Sequence, residues 1–297
     1  MTSTFAWELL PDRLNLGCGF DLRDGYVNVD LGDFHGPDLV ADIRELSMLP
    51  SGHYREILAY DCLEHLPRTD TDRALVEWFR LLAPGGVLRL QVPNFAGIAR
   101  RMAAATTIDE QEEVIHLLFG TQAYTGDFHQ TTFTDLTLLH HLGAAGFVGA
   151  GLGDRDGWLF EAEAYRPDDP ATPRLGMSWR AGFHCAERGP EGGWRWCSRV
   201  GEMLLFNATR ASVPARLRAR AEAPGSRRST LRVEAAGVRV GDHRLGREPV
   251  PLEVGLVLPP GGTVLRMSSD ARRPRAAGEV RDIRFRLWDL RLEAWPP

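Results

Sequence analysis

A glycine turn and an acidic residue near the N-terminus have the spacing of a nucleoside-binding site. The segment Leu14–Leu31 reads LNLGCGFDLRDGYVNVDL, and Asp30 follows the second glycine of Gly17-Cys18-Gly19 by eleven residues. Glycines at the end of a strand-like run let a ligand approach the backbone, because no side chain blocks it. A carboxylate at the end of the next run can accept hydrogen bonds from both hydroxyls of a ribose. The pattern therefore predicts a ribose-containing ligand.

The connection between these two features is too short for the helix that a dinucleotide-binding fold places there. In that fold a third glycine lets the helix pack on the strand, and the helix N-terminus holds the pyrophosphate. Leu22 stands at the position of the third glycine. A nucleoside ligand without a pyrophosphate at this point indicates S-adenosylmethionine, with its amino-acid end on the Gly17–Gly19 backbone and its ribose on Asp30.

Two further runs add polar residues to the expected cofactor site. Asp42, in DLVADIREL, follows a third strand and could accept a hydrogen bond from the adenine amino group. ILAYDCLEHL follows a fourth strand, at the edge where open sheets bind ligands. Asp61 is expected to contact the cofactor's amino group, with a role as a base as the alternative. Cys18 is expected to be a small side chain packed under the ligand. The expected cofactor-binding residues are Leu16, Gly17, Cys18, Gly19, Asp30, Leu31, Asp42, Ile43, Asp61, Cys62 and His65.

Strands and helices alternate up to about residue 165. Helical spacing over Asp70–Leu82 places Leu75, Trp78, Phe79 and Leu82 on one face, with Thr69 or Asp70 as the cap and Pro84-Gly85-Gly86 as the stop. A second helix is predicted from Asp135 to Leu142. Short apolar runs predict strands at Arg13–Leu16, Tyr26–Val29, Leu39–Ala41, Ile57–Tyr60 and Val87–Val92. The alternation predicts an α/β fold with a Rossmann-like, doubly wound and mostly parallel sheet.

Residues 12–165 resemble a class I S-adenosylmethionine-dependent methyltransferase. More narrowly, they resemble a small bacterial group with LNLGCG, a short connection to VDL and an EHL motif; LLFGTQAYTGDFHQTTFT and GAAGF fit that group as well. The resemblance implies a methyltransferase domain over residues 1–165, closed by an antiparallel hairpin in FVGAGLGDRDGWLFEAEA. The first crossover helix of the general fold is missing here or reduced to a turn, which predicts a more open cofactor pocket.

A base is needed if the acceptor is a hydroxyl, because a hydroxyl is a poor nucleophile at neutral pH. His129, in GDFHQ, is the expected catalytic base, with a structural role for its side chain as the close alternative. A structural hydrogen bond is favoured over catalysis for His65. No metal site is expected, because no acids are paired as at a magnesium site.

The second half of the sequence has a different pattern of apolar residues. RPDDPATPR indicates a linker at 166–175, and period-2 runs beyond it predict an antiparallel, jelly-roll-like β-sandwich at 176–297. GFHCAERGPEGGWRWC and the later strands resemble a β-sandwich module that accompanies enzymes of bacterial surface-polysaccharide assembly. For Trp179, Trp194 and Trp196 a core or interdomain contact is favoured over binding to a sugar ring. For Arg272, Arg273 and Arg275 a solvated loop is favoured over binding to a phosphate or an acidic sugar.

Charge and composition exclude several classes of protein. Residues 1–165 carry 25 acids and 11 Arg, a net charge of −14, which disfavours binding to nucleic acid. No apolar run is long enough for a membrane span, no secretory signal is evident, and four cysteines without metal-ligand spacing indicate reduced thiols in a cytoplasmic protein.

The expected function is O-methylation of a sugar hydroxyl. The acceptor would be a surface glycan or a glycosylated metabolite, with lipid-linked and nucleotide-linked glycans among the candidates. One alternative is a natural-product O- or N-methyltransferase that dimerises through its β-domain. Another is a non-catalytic glycan-binding protein with a degenerate cofactor pocket, and a nucleic-acid methyltransferase is a third. Oligomeric state stays open, a homo-oligomer being one option.

Overall fold

The chain divides into two compact units, each described here by itself. The computed structural model describes residues 10–124, 126–190, 192–274 and 278–295. Unit 1 comprises Met1–Ala150 and Asp154–Thr172, and unit 2 comprises Gly151–Gly153 and Pro173–Pro297. The domain and linker boundaries that composition suggests stay predictions. In the described part of the chain no helix is long and apolar enough to cross a membrane.

Unit 1 is built on a mixed sheet. Its strands are β1 (Arg13–Leu16), β2 (Val27–Asp30), β3 (Leu39–Val40), β4 (Tyr54–Tyr60), β5 (Leu82–Pro93), β6 (Val148–Arg155) and β7 (Leu159–Tyr165). They lie in the order β3-β2-β1-β4-β5-β7-β6. The first five pair parallel with one another, and β7 pairs antiparallel with β5. The predicted Rossmann-like architecture is confirmed in this mixed form.

Helices follow β4 and β5 but not the earlier strands. They are α1 (Thr71–Leu81), α2 (Phe95–Ala104), α3 (Ile108–Phe119) and α4 (Asp135–Ala145). Among the described residues, the three connections from β1 to β4 contain no α-helix, and the one after β2 has a short 3₁₀ turn at Asp33–His35. The expected loss of the first crossover helix is confirmed. The helix layers of a doubly wound fold are therefore incomplete beside β1, β2 and β3.

Helix α1 buries an apolar stripe as its periodicity predicts. Ala74, Leu75, Trp78 and Leu81 are fully buried, and the Trp78 indole donates a 2.9 Å hydrogen bond to the Ile43 carbonyl. That bond fixes the segment after β3, which reaches the site described below. Two details of the prediction were wrong. Asp70 occupies the N-cap position without a capping hydrogen bond, and the helix ends before Leu82, so that Pro84-Gly85-Gly86 lies inside β5.

Arg166 closes the C-terminal end of α1. Its guanidinium donates hydrogen bonds of 3.3, 3.1 and 2.5 Å to the carbonyls of Phe79, Arg80 and Leu82. Carbonyls in the last turn of a helix lack intrahelical partners, and a cation there also complements the helix dipole. The backbone of Arg166 exchanges hydrogen bonds with Gly85 and Gly86. Arg166 is thus part of unit 1.

Unit 2 consists of antiparallel strands in two groups. The strands are β8 (Leu175–Trp179), β9 (Phe183–Gly189), β10 (Gly192–Cys197), β11 (Val200–Asn207), β12 (Val213–Glu222), β13 (Ser229–Ala235), β14 (Val238–Leu245), β15 (Val250–Leu258), β16 (Gly261–Ser269) and β17 (Phe285–Ala294). One group has the order β14-β13-β16-β11-β8 and the other β15-β12-β17-β10-β9. Buried residues of both groups form one apolar cluster, including Leu205, Leu217, Leu265 and Leu287. A separate β-sandwich domain stays a prediction.

The tryptophans of unit 2 pack around an arginine. The Arg286 guanidinium lies 5.1, 4.8 and 4.5 Å from the ring centres of Trp194, Trp196 and Trp288. Glu222, which is 3% exposed, accepts hydrogen bonds from Arg286 and from the Trp288 indole. This cluster fits the core role weighed for the tryptophans. Of the arginines considered for anion binding, Arg275 lies outside the described residues.

Candidate functional site

A cavity of about 900 Å³ in unit 1 brings most of the predicted site residues together. It lies at the ends of β1, β2 and β4 and is walled on another side by α3 and the loop that follows it. The predicted residues that line it are Gly17, Gly19, Asp30, Leu31, Asp42, Ile43, Asp61, Cys62, His65 and His129. Leu16 is fully buried in β1, and Cys18 faces a second cavity of about 440 Å³.

The glycine turn after β1 needs its glycines for two different reasons. Gly17 and Gly19 have φ angles of +61° and +49°, in the left-handed region that side chains disfavour. A Cβ on Gly17 would also lie 2.4 Å from the Cβ of Cys62, whereas a Cβ on Gly19 would meet nothing within 4 Å. The turn therefore packs directly on the segment after β4 at Gly17, and the cavity opens at Gly19.

Asp30 is held by donors on both of its oxygens. Its Oδ2 accepts from the Gly19 amide at 2.8 Å, and its Oδ1 accepts from the Gly32 amide at 2.8 Å and lies 2.9 Å from His35 Nδ1. Burial raises the pKa of Asp30, but the bonds from Gly32, Gly19 and His35 lower it below its ordinary value overall. A carboxylate offers about four acceptor positions, so a ribose would have to share Oδ2 or displace a donor.

Asp42 is likewise engaged within the protein. Arg44 donates to Oδ1 at 3.0 Å and to Oδ2 at 2.6 Å, and it also bonds to Asp70 at the start of α1. The Arg44 side chain holds the pKa of Asp42 below its ordinary value. Asp42 can accept from an adenine amino group only if it shares an oxygen with Arg44.

Exposed aromatic rings form a wall that the sequence did not predict. Phe20, Phe34 and Tyr124 are 79%, 62% and 48% exposed, and their rings surround His35 at centre-to-centre distances of 4.7, 4.0 and 6.2 Å. Leu31, beside Asp30, is 72% exposed. Together these side chains offer an apolar surface to a flat ring system. Phe34 and His35 stand three and four residues after the VDL motif, and this proximity is the signal that could have revealed them.

The EHL segment and the GDFHQ loop are joined by backbone hydrogen bonds. The Gln130 and Thr131 amides donate to the Glu64 carbonyl at 2.8 and 3.2 Å, and the Gln130 side chain donates to the His65 carbonyl at 2.7 Å. The rings of His65 and His129 are consequently 5.0 Å apart. Burial, and then the neighbouring His65, lower the pKa of His129 below its ordinary value.

Two acids at this end of the cavity are unusual. Asp61 has a φ of 51°, and burial raises its pKa. Glu64 is 1% exposed, and burial, followed by the charge of Asp61, raises its pKa well above the ordinary value. Sequence reasoning missed Glu64 because a glutamate beside a histidine is typical of a surface, although it belongs to the EHL motif. Glu64, His65 and His129 each contribute one carboxylate oxygen or ring nitrogen, and these three atoms lie within 4.8 Å of one another.

Comparison with known protein families finds a similarity in the part of the chain that carries the glycine turn and Asp30. Residues 6–90, which contain β1 to β4 and most of β5, match the family model described as a methyltransferase domain. Residues 6–90 are thus similar to a methyltransferase domain, which supports the expected enzyme class and its cofactor, S-adenosylmethionine. No curated protein matches the chain.

Solved structures share a partial likeness with the chain. A possible exported protein from Bordetella parapertussis is 14% identical, with a TM-score of 0.41. The match covers 54% of this chain and 63% of the Bordetella protein. A SAM-dependent methyltransferase from Archaeoglobus fulgidus is 12% identical, with a TM-score of 0.37; the match covers 52% of this chain and 85% of that one. A SAM-dependent methyltransferase from Methanosarcina mazei is 17% identical, with a TM-score of 0.38; the match covers 53% of this chain and 92% of that one. This chain thus spans less than two thirds of the Bordetella protein.

Proposed function

We propose that unit 1 binds S-adenosylmethionine in the cavity described above and transfers its methyl group to an acceptor hydroxyl. The observation that carries the proposal is that the glycine turn, Asp30 and His129 line one cavity. The methionine end would lie over Gly17 and Gly19 and the ribose at Asp30. The adenine would lie against the apolar wall of Phe34 and Leu31.

His129 is the proposed base. Methyl transfer is an in-line displacement, so the acceptor oxygen must face the methyl carbon on the side opposite the sulfur. His129 would accept the hydroxyl proton as the oxygen attacks the methyl group that bound S-adenosylmethionine would supply, with S-adenosylhomocysteine as the leaving group. A base must be unprotonated and must reach the substrate; burial lowers the pKa of His129, which favours the unprotonated form, and His129 lines the cavity.

The proposed acceptor is a sugar hydroxyl of a surface glycan or a glycosylated metabolite. This part of the proposal is supported by the resemblance of the C-terminal strands to modules of surface-polysaccharide enzymes. The cavity volume of about 900 Å³ leaves room for a sugar beside the cofactor, since ligand pockets commonly measure about 300–1,000 Å³.

Calorimetric titration with S-adenosylmethionine and S-adenosylhomocysteine tests the cofactor site first. We expect micromolar binding that Asp30→Ala abolishes. A mass increase of one CH₂ is then sought on a panel of glycosides, sugar nucleotides, lipid-linked glycans and aglycones. His129→Gln should lower kcat while leaving S-adenosylhomocysteine affinity unchanged.

Three results would each contradict one part of the proposal. If the wild type binds no cofactor at millimolar concentration, the proposed methyltransferase activity is contradicted. If only aglycones or amines are methylated, the proposed sugar acceptor is contradicted. Unchanged kcat in His129→Gln would remove His129 from the role of base.

A further inference from the structure

We propose that Glu64, His65 and His129 form a binding site for one divalent transition-metal ion. Each residue places a carboxylate oxygen or a ring nitrogen within 4.8 Å of the other two. In a tetrahedral site with bonds of about 2.1 Å, donor atoms stand about 3.4 Å apart, so modest side-chain rotations would bring the three into coordination. All three side chains line the proposed methyl-transfer cavity.

Unsatisfied polar atoms provide independent support. Glu64 is 1% exposed, and its Oε2 has no hydrogen-bond partner. His129 Nδ1 is also buried and without a partner. A buried carboxylate oxygen without a donor is costly, and most such atoms in proteins are hydrogen-bonded or bound to a cation. A metal ion bound between Glu64 and His129 would give the unpaired Glu64 oxygen a cationic partner.

The surrounding hydrogen bonds hold the donors in a suitable arrangement. His65 Nδ1 lies 3.2 Å from the Phe128 carbonyl and donates a hydrogen bond to it, so Nε2 is the ring nitrogen available to a metal ion. Metal-binding histidines commonly donate their second ring N–H to a carbonyl in this way. The bonds from Gln130 and Thr131 to Glu64 join the two segments that carry the donors. The site would therefore need little reorganisation on binding.

The donor set selects the kind of ion. Two imidazoles and one carboxylate suit zinc, iron, cobalt or nickel better than magnesium or calcium, which prefer oxygen donors throughout. Sequence spacing gives no sign of this site, because His129 is 64 residues from His65 and only the packing of the loop brings them together. Three protein donors leave at least one coordination position for a ligand in the cavity.

The catalytic role of the ion rests on the proposed function, whereas its binding does not. The open position would hold the acceptor hydroxyl, whose proton leaves to water because the cation stabilises the alkoxide. The oxygen then bonds to the methyl carbon and the carbon–sulfur bond breaks, as above. In the metal-loaded enzyme His129 is a ligand, and it serves as the base in the metal-free enzyme.

Metal titration of the full chain tests the proposal. Tag-free protein is treated with chelator, dialysed and titrated with Zn²⁺ by calorimetry, with the bound metal counted by mass spectrometry. We expect one ion per chain with micromolar or tighter affinity, weakened at least tenfold in Glu64→Gln and in His129→Gln. His116→Gln is the matched control, since His116 lines the same cavity outside the cluster. Co²⁺ should give visible d–d bands without thiolate charge transfer.

The outcomes separate this proposal from the proposed function. Failure of wild type to bind Zn²⁺ or Co²⁺, or equal binding in wild type and Glu64→Gln, would overturn the metal site. A thiolate charge-transfer band would do the same, because it would place the ion on a cysteine. S-adenosylhomocysteine binding is measured in parallel: its retention shows that each variant is folded, and its absence from wild type contradicts the proposed function alone.

Discussion

The Gly19 amide donates a 2.8 Å hydrogen bond to the Asp30 carboxylate, so the residue that ends β2 holds the turn that follows β1. The same carboxylate accepts from Gly32 and bonds to His35. Asp30 therefore organises the backbone around the site in addition to its proposed contact with the ribose. Its replacement should affect stability as well as binding.

We expect Asp30→Asn to destabilise the chain even without a ligand. An amide has one acceptor oxygen, so at least one of the donors from Gly19, Gly32 and His35 loses its partner. Leaving a buried donor unsatisfied costs about 1–3 kcal/mol. Urea denaturation measures the free energy of unfolding, with Asp33→Asn as the control because Asp33 is exposed nearby. Equal stability of the two variants would show that the Asp30 network contributes nothing.

The contribution of Asp30 should depend on pH. Its pKa is lower in the folded chain than the ordinary 3.8, so its ionised form stabilises the fold. That stabilisation is complete above pH 3.8 and is lost as the pH falls through the folded pKa. The stability difference between wild type and Asp30→Asn should therefore be constant near neutrality and shrink below pH 3.8. A difference that grows with acidification would contradict the lowered pKa.

The two glycines of the turn should differ in their tolerance of alanine. Gly19→Ala faces only the strain of a positive φ, about 1 kcal/mol. Gly17→Ala faces the same strain and a contact of 2.4 Å with the Cys62 Cβ, so it should cost several times more and move the segment after β4. Thermal denaturation of the two single variants measures the difference. Equal losses would mean that the turn does not pack against Cys62.

Thiol labelling should distinguish the four cysteines. Burial raises the pKa of Cys18 to about 11 and raises those of Cys62 and Cys197 strongly, whereas Cys185 is exposed. The thiolate is the reactive form, so iodoacetamide at pH 8 should modify Cys185 alone in the folded chain. Peptide mass spectrometry identifies the site, and Cys185→Ser should abolish labelling. Rapid labelling of Cys62 in native protein would contradict the packing of Gly17 against it.

Local periodicity predicted the elements that depend on local sequence. The bounds of β1 coincide with the run Arg13–Leu16, and α1 lies one residue inside the predicted Asp70–Leu82 at each end. A helix stripe or an apolar run requires only burial of one face, which the sequence displays directly. The first residues of β5 were missed because Pro84-Gly85-Gly86 is typical of a turn. Their strand conformation is supported by the hydrogen bonds with Arg166, which lies 80 residues away.

The site was predicted where it depends on motifs and missed where it depends on tertiary packing. Gly17, Asp30 and His129 stand in recognisable motifs and line the cavity as expected. The burial of Glu64 depends on the loop from Asp127 to Thr131, whose position no local pattern specifies. Tyr124 reaches the aromatic wall in the same way. Roles of individual residues, including His129, stay predictions.

Arg166 sets the shortest N-terminal fragment that should fold by itself. The change in composition suggests a cut after Tyr165, but that cut would remove the guanidinium that satisfies three carbonyls at the end of α1. A fragment that ends at Thr172 keeps it, and we expect this fragment to unfold cooperatively in circular dichroism, at a higher temperature than one that ends at Tyr165. The contact between Arg166 and the last turn of α1 thus defines the unit that folds by itself. That unit ends seven residues after Tyr165, where the strand pattern stops.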